Sequence, residues 1–166
     1  MDKERRPAKT WLRNGGVTAA ILSAIATYES FVPQAMLPLK EDRPTVGYGS
    51  TYYEDGTPVK LGDTITKERA QILLKNVADQ TAQQMLKCLG DVPLYEYEWN
   101  AYVSFTYNVG TKAFCSSTLL KKLKQHPPDY AGACKELLRW TKQNGKVVRG
   151  LVNRRQQEYK MCMGAL

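Results

Sequence analysis

The stretch from Glu29 to Thr45 contains the side-chain types that acid–base chemistry needs. Glu29 ends an apolar, helix-like run beside Tyr28, whereas Asp42 follows Glu41 in a polar turn. A carboxyl group that is partly shielded by apolar neighbours can keep its proton near neutrality, and one in a polar turn stays ionised more easily. Two carboxyl groups in such different surroundings can divide the work of a general acid and a general base. Thr45 adds a hydroxyl group that can hold a water molecule.

Several further motifs follow in a fixed order. Thr45 opens the run Gly47-Tyr48-Gly49, and the later blocks are Tyr107-Asn108-Val109-Gly110, Phe114, Ser117-Thr118-Leu119-Leu120, Arg139-Trp140, Gly145-Lys146 and Gly150-Leu151-Val152-Asn153-Arg154-Arg155. With Glu29, these motifs make the sequence resemble the phage-type lysozymes, the muramidase endolysins of glycoside hydrolase family 24. The resemblance extends over about residues 17–163.

The sequence departs from the family pattern at the second carboxylate. The family signature places eight residues between glutamate and aspartate and five between aspartate and threonine, fourteen positions in all, whereas fifteen residues separate Glu29 from Thr45. Counting from either end puts Pro38 or Leu39 at the aspartate position, and neither side chain ionises. Asp42 is the nearest replacement, and Glu41 is the alternative.

The resemblance implies a role for each of these residues. Glu29 would give its proton to the leaving oxygen of a glycosidic bond, Asp42 would act as the ionised partner, and Thr45 would hold a water molecule that attacks with inversion. Gly47 and Gly49 would leave room for a sugar, and Tyr48 would either stack on a sugar ring or pack inward. Further contacts with substrate are expected from Tyr107 and Asn108 in the cleft wall and from Arg154 in a basic C-terminal region.

Charge and histidine content narrow the function classes. The chain of 166 residues has 24 Lys and Arg against 16 Asp and Glu, a net charge of +8, and a pI near 9.3, which favours a polyanionic partner. The sequence shows no interleaved aromatic platform for stacking bases, so we expect no nucleic-acid partner. The single histidine, His126, precedes Pro127-Pro128 in a predicted loop, which argues against a zinc hydrolase. We expect no metal and no cofactor.

The resemblance therefore predicts an endolysin that hydrolyses the β-1,4 bond between N-acetylmuramic acid and N-acetylglucosamine of peptidoglycan, for phage-mediated lysis of the host. Two alternatives stay open because the second carboxylate is displaced: a lytic transglycosylase acting on the same bond, and an inactive wall-binding protein. We expect a monomer that is made in the host cytoplasm and acts in the periplasm, exported through a holin or by an N-terminal signal.

The four cysteines lack the Cys-x-x-Cys spacing of a metal site. An even number suits two disulfides in a protein that works outside the cytoplasm, although free buried thiols are also consistent with the sequence. If bridges form, the expected pairs are Cys115 with Cys134 and Cys88 with Cys162.

The hydrophobic patterning predicts an α+β, lysozyme-like fold with a mainly helical body and a small β-hairpin lobe. Residues 1–14 are polar and basic and are expected to form a loosely ordered arm, and residues 15–166 a single catalytic domain. The apolar run at 17–26 is too short to span a membrane and is expected to be a buried helix ending near Glu29. The hairpin lobe should cover about residues 45–62, with strands at 45–53 and 57–61 around a turn at 54–56. Helices are predicted at about 66–89, 95–107, 129–143 and 150–161, with a short one after Ser117.

Overall fold

The computed structural model of the protein describes residues 4–13, 16–38 and 43–166. Helices dominate these residues, and each strand pair is short and antiparallel. In chain order, the elements are β1 (Arg6–Pro7), a 3-10 helix (Ala8–Trp11), α1 (Ala19–Tyr28), β2 (Val32–Met36), β3 (Thr45–Gly47), α2 (Lys67–Leu89), β4 (Pro93–Leu94), α3 (Glu96–Val109), α4 (Thr111–Cys115), α5 (Thr118–Leu123), α6 (Tyr130–Glu136), a second 3-10 helix (Leu137–Arg139), β5 (Lys142–Gln143), β6 (Lys146–Val147) and α7 (Arg149–Cys162). The predicted α+β class, with a helical body and a small β lobe, is confirmed.

The N-terminal segment packs against the helical body. β1 pairs with β4, Ala8 and Trp11 are buried, and the indole Nε1 of Trp11 donates to the Leu94 carbonyl at 3.0 Å. Arg5 donates two hydrogen bonds to the buried Glu98. The expectation of a loosely ordered arm is therefore wrong for residues 4–13, because two apolar side chains and one ion pair hold the segment in place. The predicted boundary at residues 14–15 lies outside the described residues.

Helix α1 ends where the sequence predicts and delivers Glu29 to the site. Ile21 and Ile25 lie one turn apart and are buried, so the helix packs its apolar face on the body. Glu29 is the first residue beyond the helix, and its backbone N–H still donates to the carbonyl of Ile25 at 3.0 Å. The Glu29 side chain therefore projects from a rigid helix end.

The small lobe is built differently from the predicted hairpin. β3 pairs with β2, so that Val32 lies opposite Gly47 and Met36 opposite Thr45. β2 contains Pro33, which has no N–H to donate to a neighbouring strand. Pro33 nevertheless fits at this position, since it uses its carbonyl, which accepts from the Ile65 N–H at 2.9 Å. The predicted turn at 54–56 does form, closed by hydrogen bonds from Tyr53 to Thr57 and from Val59 to Thr51.

Helix α2 joins the small lobe to the body, as its length and periodicity predict. The Thr66 hydroxyl accepts from the Arg69 N–H at 3.2 Å and caps the helix, and Gly90 ends it with a φ of +67°. Buried residues recur on one face, among them Ala70, Leu73, Leu74, Ala78, Ala82 and Met85. This face packs on β3 at one end and on α3 and α4 at the other.

Helix α3 forms the centre of the body, and α7 packs along it. Residues 101–106 of α3 are all buried, and Gly110 ends the helix as predicted. The helix predicted at 129–143 is wrong in length, because α6 stops at Glu136. A 3-10 turn and the β5–β6 hairpin follow, with Asn144 and Gly145 at positive φ in its turn.

Two disulfides link the helices of the body, Cys88–Cys115 and Cys134–Cys162, each with a Cα–Cα distance of 5.7 Å. The first joins the ends of α2 and α4, and the second joins α6 to the end of α7. The pairing expected from the sequence, Cys115 with Cys134 and Cys88 with Cys162, is therefore wrong. Spacing alone did not reveal which helix ends meet. Among residues 4–13, 16–38 and 43–166, no helix has both the length and the hydropathy that a membrane span requires.

Candidate active site

Glu29 lies at the junction of the two lobes with its side chain 25% exposed. Its Oε1 accepts a hydrogen bond from Arg154 Nη1 at 2.7 Å. Its Oε2 lies on the side of Gly49, 3.8 Å from the point that a Cβ atom on Gly49 would occupy. One carboxyl oxygen is therefore held by an arginine, while the other faces the strand-to-loop segment that borders the cleft.

Arg154 is buried beneath the site. Its side chain is 5% exposed, and its guanidinium carbon lies 4.8 Å from the centre of the Tyr28 ring. Besides Glu29, the guanidinium group bonds Glu158 Oε1 through Nε at 3.0 Å and the Ser104 carbonyl through Nη2 at 2.9 Å. The expectation that Arg154 belongs to a solvated basic region is therefore wrong, whereas its predicted contact with substrate remains a prediction. The Arg154 side chain lies within the body and binds Glu29 from the buried side.

A buried carboxylate that the sequence analysis missed completes this cluster. Glu158 is fully buried, and its Oε1 also accepts from the Ser104 hydroxyl at 2.8 Å and from Arg155 Nη2 at 3.2 Å. Burial raises the pKa of Glu158 above its usual value, and the two arginines and Ser104 oppose that rise. The sequence does carry a signal, because Arg154, Glu158 and Cys162 recur at every fourth position of a predicted helix.

The residues of the Gly47-Tyr48-Gly49 run have separate roles. Gly47 is buried with a φ of +67°, and a Cβ atom there would lie 2.9 Å from Cβ of Ala70, so this glycine lets β3 approach α2. Tyr48 is 5% exposed and packs inward against Phe31, with ring centres 5.7 Å apart. Of the two expectations for Tyr48, inward packing is observed. Gly49 is exposed beside Glu29, so a ligand can approach Gly49 but not the buried Gly47.

A cleft of about 720 Å³ begins at Gly49, the residue that Glu29 Oε2 faces, although Glu29 itself is not among its lining residues. Its walls are the loop after β3 and one face of α2, with Tyr107 at the end of α3; the lining residues are Gly49, Ser50, Thr51, Tyr52, Tyr53, Glu54, Gly56, Leu73, Asn76, Val77, Asp79, Gln80 and Tyr107. A cleft with these dimensions and mixed polar and apolar walls suits an extended ligand such as a glycan chain.

Tyr107 connects the two walls of the cleft. Its hydroxyl donates to the Tyr48 carbonyl at 3.1 Å, which ties the end of α3 to the small lobe. Burial raises the pKa of Tyr107 well above its usual value, so the phenol stays neutral near neutral pH. Asn108, the next candidate, is exposed at the end of α3 but is not among the residues that line the cleft.

The remaining candidates lie at the other end of the strand pair or outside the described residues. Thr45 begins β3 opposite Met36 and is partly exposed. Asp42, Glu41 and Leu39 fall outside the described residues, so the second carboxylate remains a prediction. Pro38 is exposed. Across the part of the chain that the structure describes, no three His, Cys, Asp or Glu side chains converge as metal ligands.

The positions of Glu29, Arg154 and the cleft indicate the class of protein. A partly shielded glutamate at a helix end, close to a cleft between a small β lobe and a helical body, is the architecture of a lysozyme-type glycosidase. The chain belongs to the phage lysozyme family, whose profile matches residues 26–158. The family that the sequence motifs indicate is thereby confirmed.

Individual relatives agree with this assignment. The chain is 40% identical over 119 residues to an endolysin of Acyrthosiphon pisum secondary endosymbiont phage 1, covering 69% of this chain and 75% of that protein. It is 38% identical over 120 residues to a SAR-endolysin of Enterobacteria phage PA-2, covering 72% and 68%. The structure resembles that of an endolysin from Escherichia coli O157:H7 phage FAHEc1, with a TM-score of 0.74, 28% identity, and coverage of 90% and 94%.

Proposed function

We propose that this phage-type lysozyme hydrolyses the β-1,4 bond between N-acetylmuramic acid and N-acetylglucosamine in peptidoglycan, with Glu29 as the proton donor. The observation that carries the proposal is the position of Glu29, which is partly shielded, anchored by Arg154 and adjacent to the cleft. Membership of the phage lysozyme family makes the protein a peptidoglycan-degrading glycosidase.

The two oxygens of Glu29 would have different roles. Oε1 is occupied by Arg154, so the proton that is donated sits on Oε2, on the side of Gly49 and the cleft. When the leaving sugar oxygen takes that proton, Glu29 becomes negatively charged. The guanidinium group at 2.7 Å stabilises this charge as it develops, and it is already in place before the reaction begins. The acid is therefore oriented and its conjugate base is stabilised by the same contact.

The other half of the reaction needs an ionised carboxylate and a positioned water molecule. We assign the carboxylate to Asp42, with Glu41 as the alternative, and water positioning to the Thr45 hydroxyl, which lies on a partly exposed strand. Attack by such a water molecule on the face opposite Glu29 would invert the anomeric carbon. The family match supports hydrolysis and favours neither transglycosylation nor an inactive wall-binding role.

Substrate contacts would come from the cleft walls. Gly49 leaves space for a sugar ring beside Glu29, and Tyr107 forms the wall at the end of α3. Asn108, the exposed residue that follows Tyr107, remains a predicted substrate contact. The net charge of +8 favours a wall polymer that carries peptide carboxylates. The protein would act as a monomer on peptidoglycan in the periplasm, after synthesis in the host cytoplasm and export through a holin or by an N-terminal signal.

The decisive test compares Glu29→Gln with the wild type on purified peptidoglycan. We expect Glu29→Gln to fold normally and to lose turbidity-clearing activity, because an amide has no acidic proton to give. Glu68→Gln, an exposed glutamate on α2, is the control and should retain activity. Full activity in Glu29→Gln would refute the assignment of the acid.

Two further measurements resolve the rest of the proposal. Asp42→Asn and Glu41→Gln, assayed separately, identify the second carboxylate as the one whose loss abolishes turnover. Mass spectrometry of the digested wall distinguishes the reaction type, because hydrolysis leaves a reducing sugar whereas transglycosylation leaves an anhydro product. Binding to peptidoglycan with no product at all would show an inactive wall-binding protein.

A further inference from the structure

Glu158 is a fully buried carboxylate to which the proposed mechanism assigns no role. Hydrogen bonds to its Oε1 come from Ser104 Oγ, Arg154 Nε and Arg155 Nη2, at 2.8, 3.0 and 3.2 Å. Arg155 Nε also lies 2.7 Å from Oε2. A buried ion cluster of this kind is poor evidence for stability, because apolar side chains of similar volume often replace such clusters at little cost. The position of Glu158 next to the arginine that holds the acid indicates a role at the site.

The geometry of Arg154 shows how Glu158 reaches the site. The guanidinium group is planar, and three of its nitrogens bond three different acceptors: Nε bonds Glu158, Nη2 bonds the Ser104 carbonyl and Nη1 bonds Glu29. Because the plane is rigid, the first two contacts determine where Nη1 points. Tyr28 supports one face of the plane at 4.8 Å.

We propose that Glu158 is a positioning residue for the acid, which acts through Arg154 and is itself oriented by the Ser104 hydroxyl. By fixing Nε of Arg154, Glu158 places Nη1 on Glu29 Oε1 and leaves Oε2 free to donate its proton. The inference rests on the proposed role of Glu29 as the acid. Without the charge of Glu158, the neighbouring Arg154 and Arg155 would repel each other in a buried space, and Arg154 would no longer have a single preferred orientation.

The chain offers a matched control for this inference. Glu98 is also buried, at 2% exposed, and also accepts two hydrogen bonds from an arginine, Arg5, at 3.0 and 3.3 Å. It lies in the first turn of α3, whereas Ser104 lies in the same helix nearer the end that carries Tyr107. Glu98→Gln therefore removes a comparable buried charge at the end of α3 opposite to Tyr107.

The experiment measures kcat and KM on purified peptidoglycan for Glu158→Gln and Glu98→Gln, at a temperature where urea unfolding shows both to be folded. We expect Glu158→Gln to lower kcat by about tenfold or more, with KM within about twofold of the wild type, because the interaction lost is one that supports the transition state. We expect Glu98→Gln to keep kcat. Retained kcat in Glu158→Gln, or an equal loss in Glu98→Gln, would overturn the inference.

A double-mutant cycle tests whether Glu158 acts through Arg154. In an Arg154→Met background, Glu158→Gln should cause no further loss of kcat, since the intermediary is already gone. An additive loss would contradict the proposed route. If Glu158→Gln does not fold, Ser104→Ala takes its place in the same cycle. It removes the hydroxyl bond to Glu158 but keeps the carbonyl that binds Arg154, and it should lower kcat by about two- to fivefold.

Glu29→Gln serves as the reference in the same assay. If Glu29→Gln retains activity, the proposed function fails, whatever Glu158 does. If Glu29→Gln is inactive and Glu158→Gln retains the wild-type kcat, the proposed function stands and only the positioning role fails.

Discussion

Glu29 Oε1 and Arg154 Nη1 lie 2.7 Å apart although the two residues are separated by 125 positions in the chain. The contact joins the end of α1 to the middle of α7. The candidate acid is therefore held in place by Arg154 only after the C-terminal helix has packed against the body. Arg154 is buried, and its orientation is restrained by its hydrogen bonds to Glu158 and to the Ser104 carbonyl.

Arg154→Lys should lower activity strongly although the substitution conserves the positive charge. Lysine keeps the charge but cannot reach Glu29, Glu158 and the Ser104 carbonyl together, so at least one buried acceptor loses its donor at a cost of about 1–3 kcal/mol. We expect kcat to fall by about tenfold or more, as measured by turbidity loss of purified wall. Arg139→Lys, at an exposed arginine that pairs with Glu136, is the control and should leave activity unchanged. Equal activity in the two variants would show that Arg154 only fills space.

Tyr107→Phe should weaken the connection across the cleft. The substitution leaves the ring but deletes the hydrogen bond to the Tyr48 carbonyl, which costs about 1 kcal/mol. We expect a corresponding fall in unfolding free energy together with a loss of about fivefold in kcat/KM. Tyr130→Phe deletes a similar bond, to the Pro93 carbonyl at 2.7 Å, away from the cleft, and should change stability alone. The prediction fails if both variants have the same kcat/KM.

Alanine substitutions at Gly47 and Gly49 should have different effects, the first mainly on stability and the second mainly on activity. Gly47→Ala places a methyl group 2.9 Å from Cβ of Ala70 at positive φ, so we expect destabilisation of about 2 kcal/mol or more. Gly49→Ala also has positive φ but meets no close atom, and its methyl group lies 3.8 Å from Glu29 Oε2. We expect a smaller stability loss and a larger activity loss for Gly49→Ala. Urea unfolding and the wall assay measure the two effects, and the reverse order would contradict the assignment.

The disulfide pairing can be read directly from the oxidised protein. Non-reducing digestion and mass spectrometry should recover peptides linking Cys88 to Cys115 and Cys134 to Cys162. The bridges span 27 and 28 positions, so loop-closure entropy predicts roughly 3–4 kcal/mol of stabilisation from each. Replacing either pair by serine should lower the unfolding free energy by about that amount. Peptides linking Cys88 to Cys162 would contradict the arrangement of α2 and α7.

Alkaline pH should destabilise the fold through its buried phenols. Burial raises the pKa of Tyr102 and Tyr107 above the ordinary value of 10.0, so the folded state keeps protons that the unfolded state has lost. The stabilisation is present below about pH 10 and is lost as the pH rises above it, by up to about 1.4 kcal/mol per pH unit for each phenol. Urea unfolding from pH 8 to pH 11 should show this slope. Tyr107→Phe should reduce the slope, and an unchanged slope in this variant would contradict the prediction.

Local patterns in the sequence predicted the helical part of the fold well. α2 runs from Lys67 to Leu89, where a helix was predicted at about 66–89, and α1 ends at the residue before Glu29. Such features depend on residues three or four positions apart, so the chain itself carries the information. Pairings between distant segments were predicted poorly. Of the strand predicted at 45–53, only residues 51–53 pair with the returning residues 57–59, whereas β3 pairs with β2, which precedes it.

The sequence by itself determined the family, the class of chemistry and the identity of Glu29 as the candidate acid. Motif order and helix periodicity can be read from the chain without knowing which residues are in contact. Only the tertiary structure decided that Arg154 faces inward to hold Glu29, that Tyr48 packs on Phe31, and which cysteines meet. Each of these depends on how α1, α3 and α7 pack together. That packing is set by burial summed over many side chains, and no single stretch of sequence contains it.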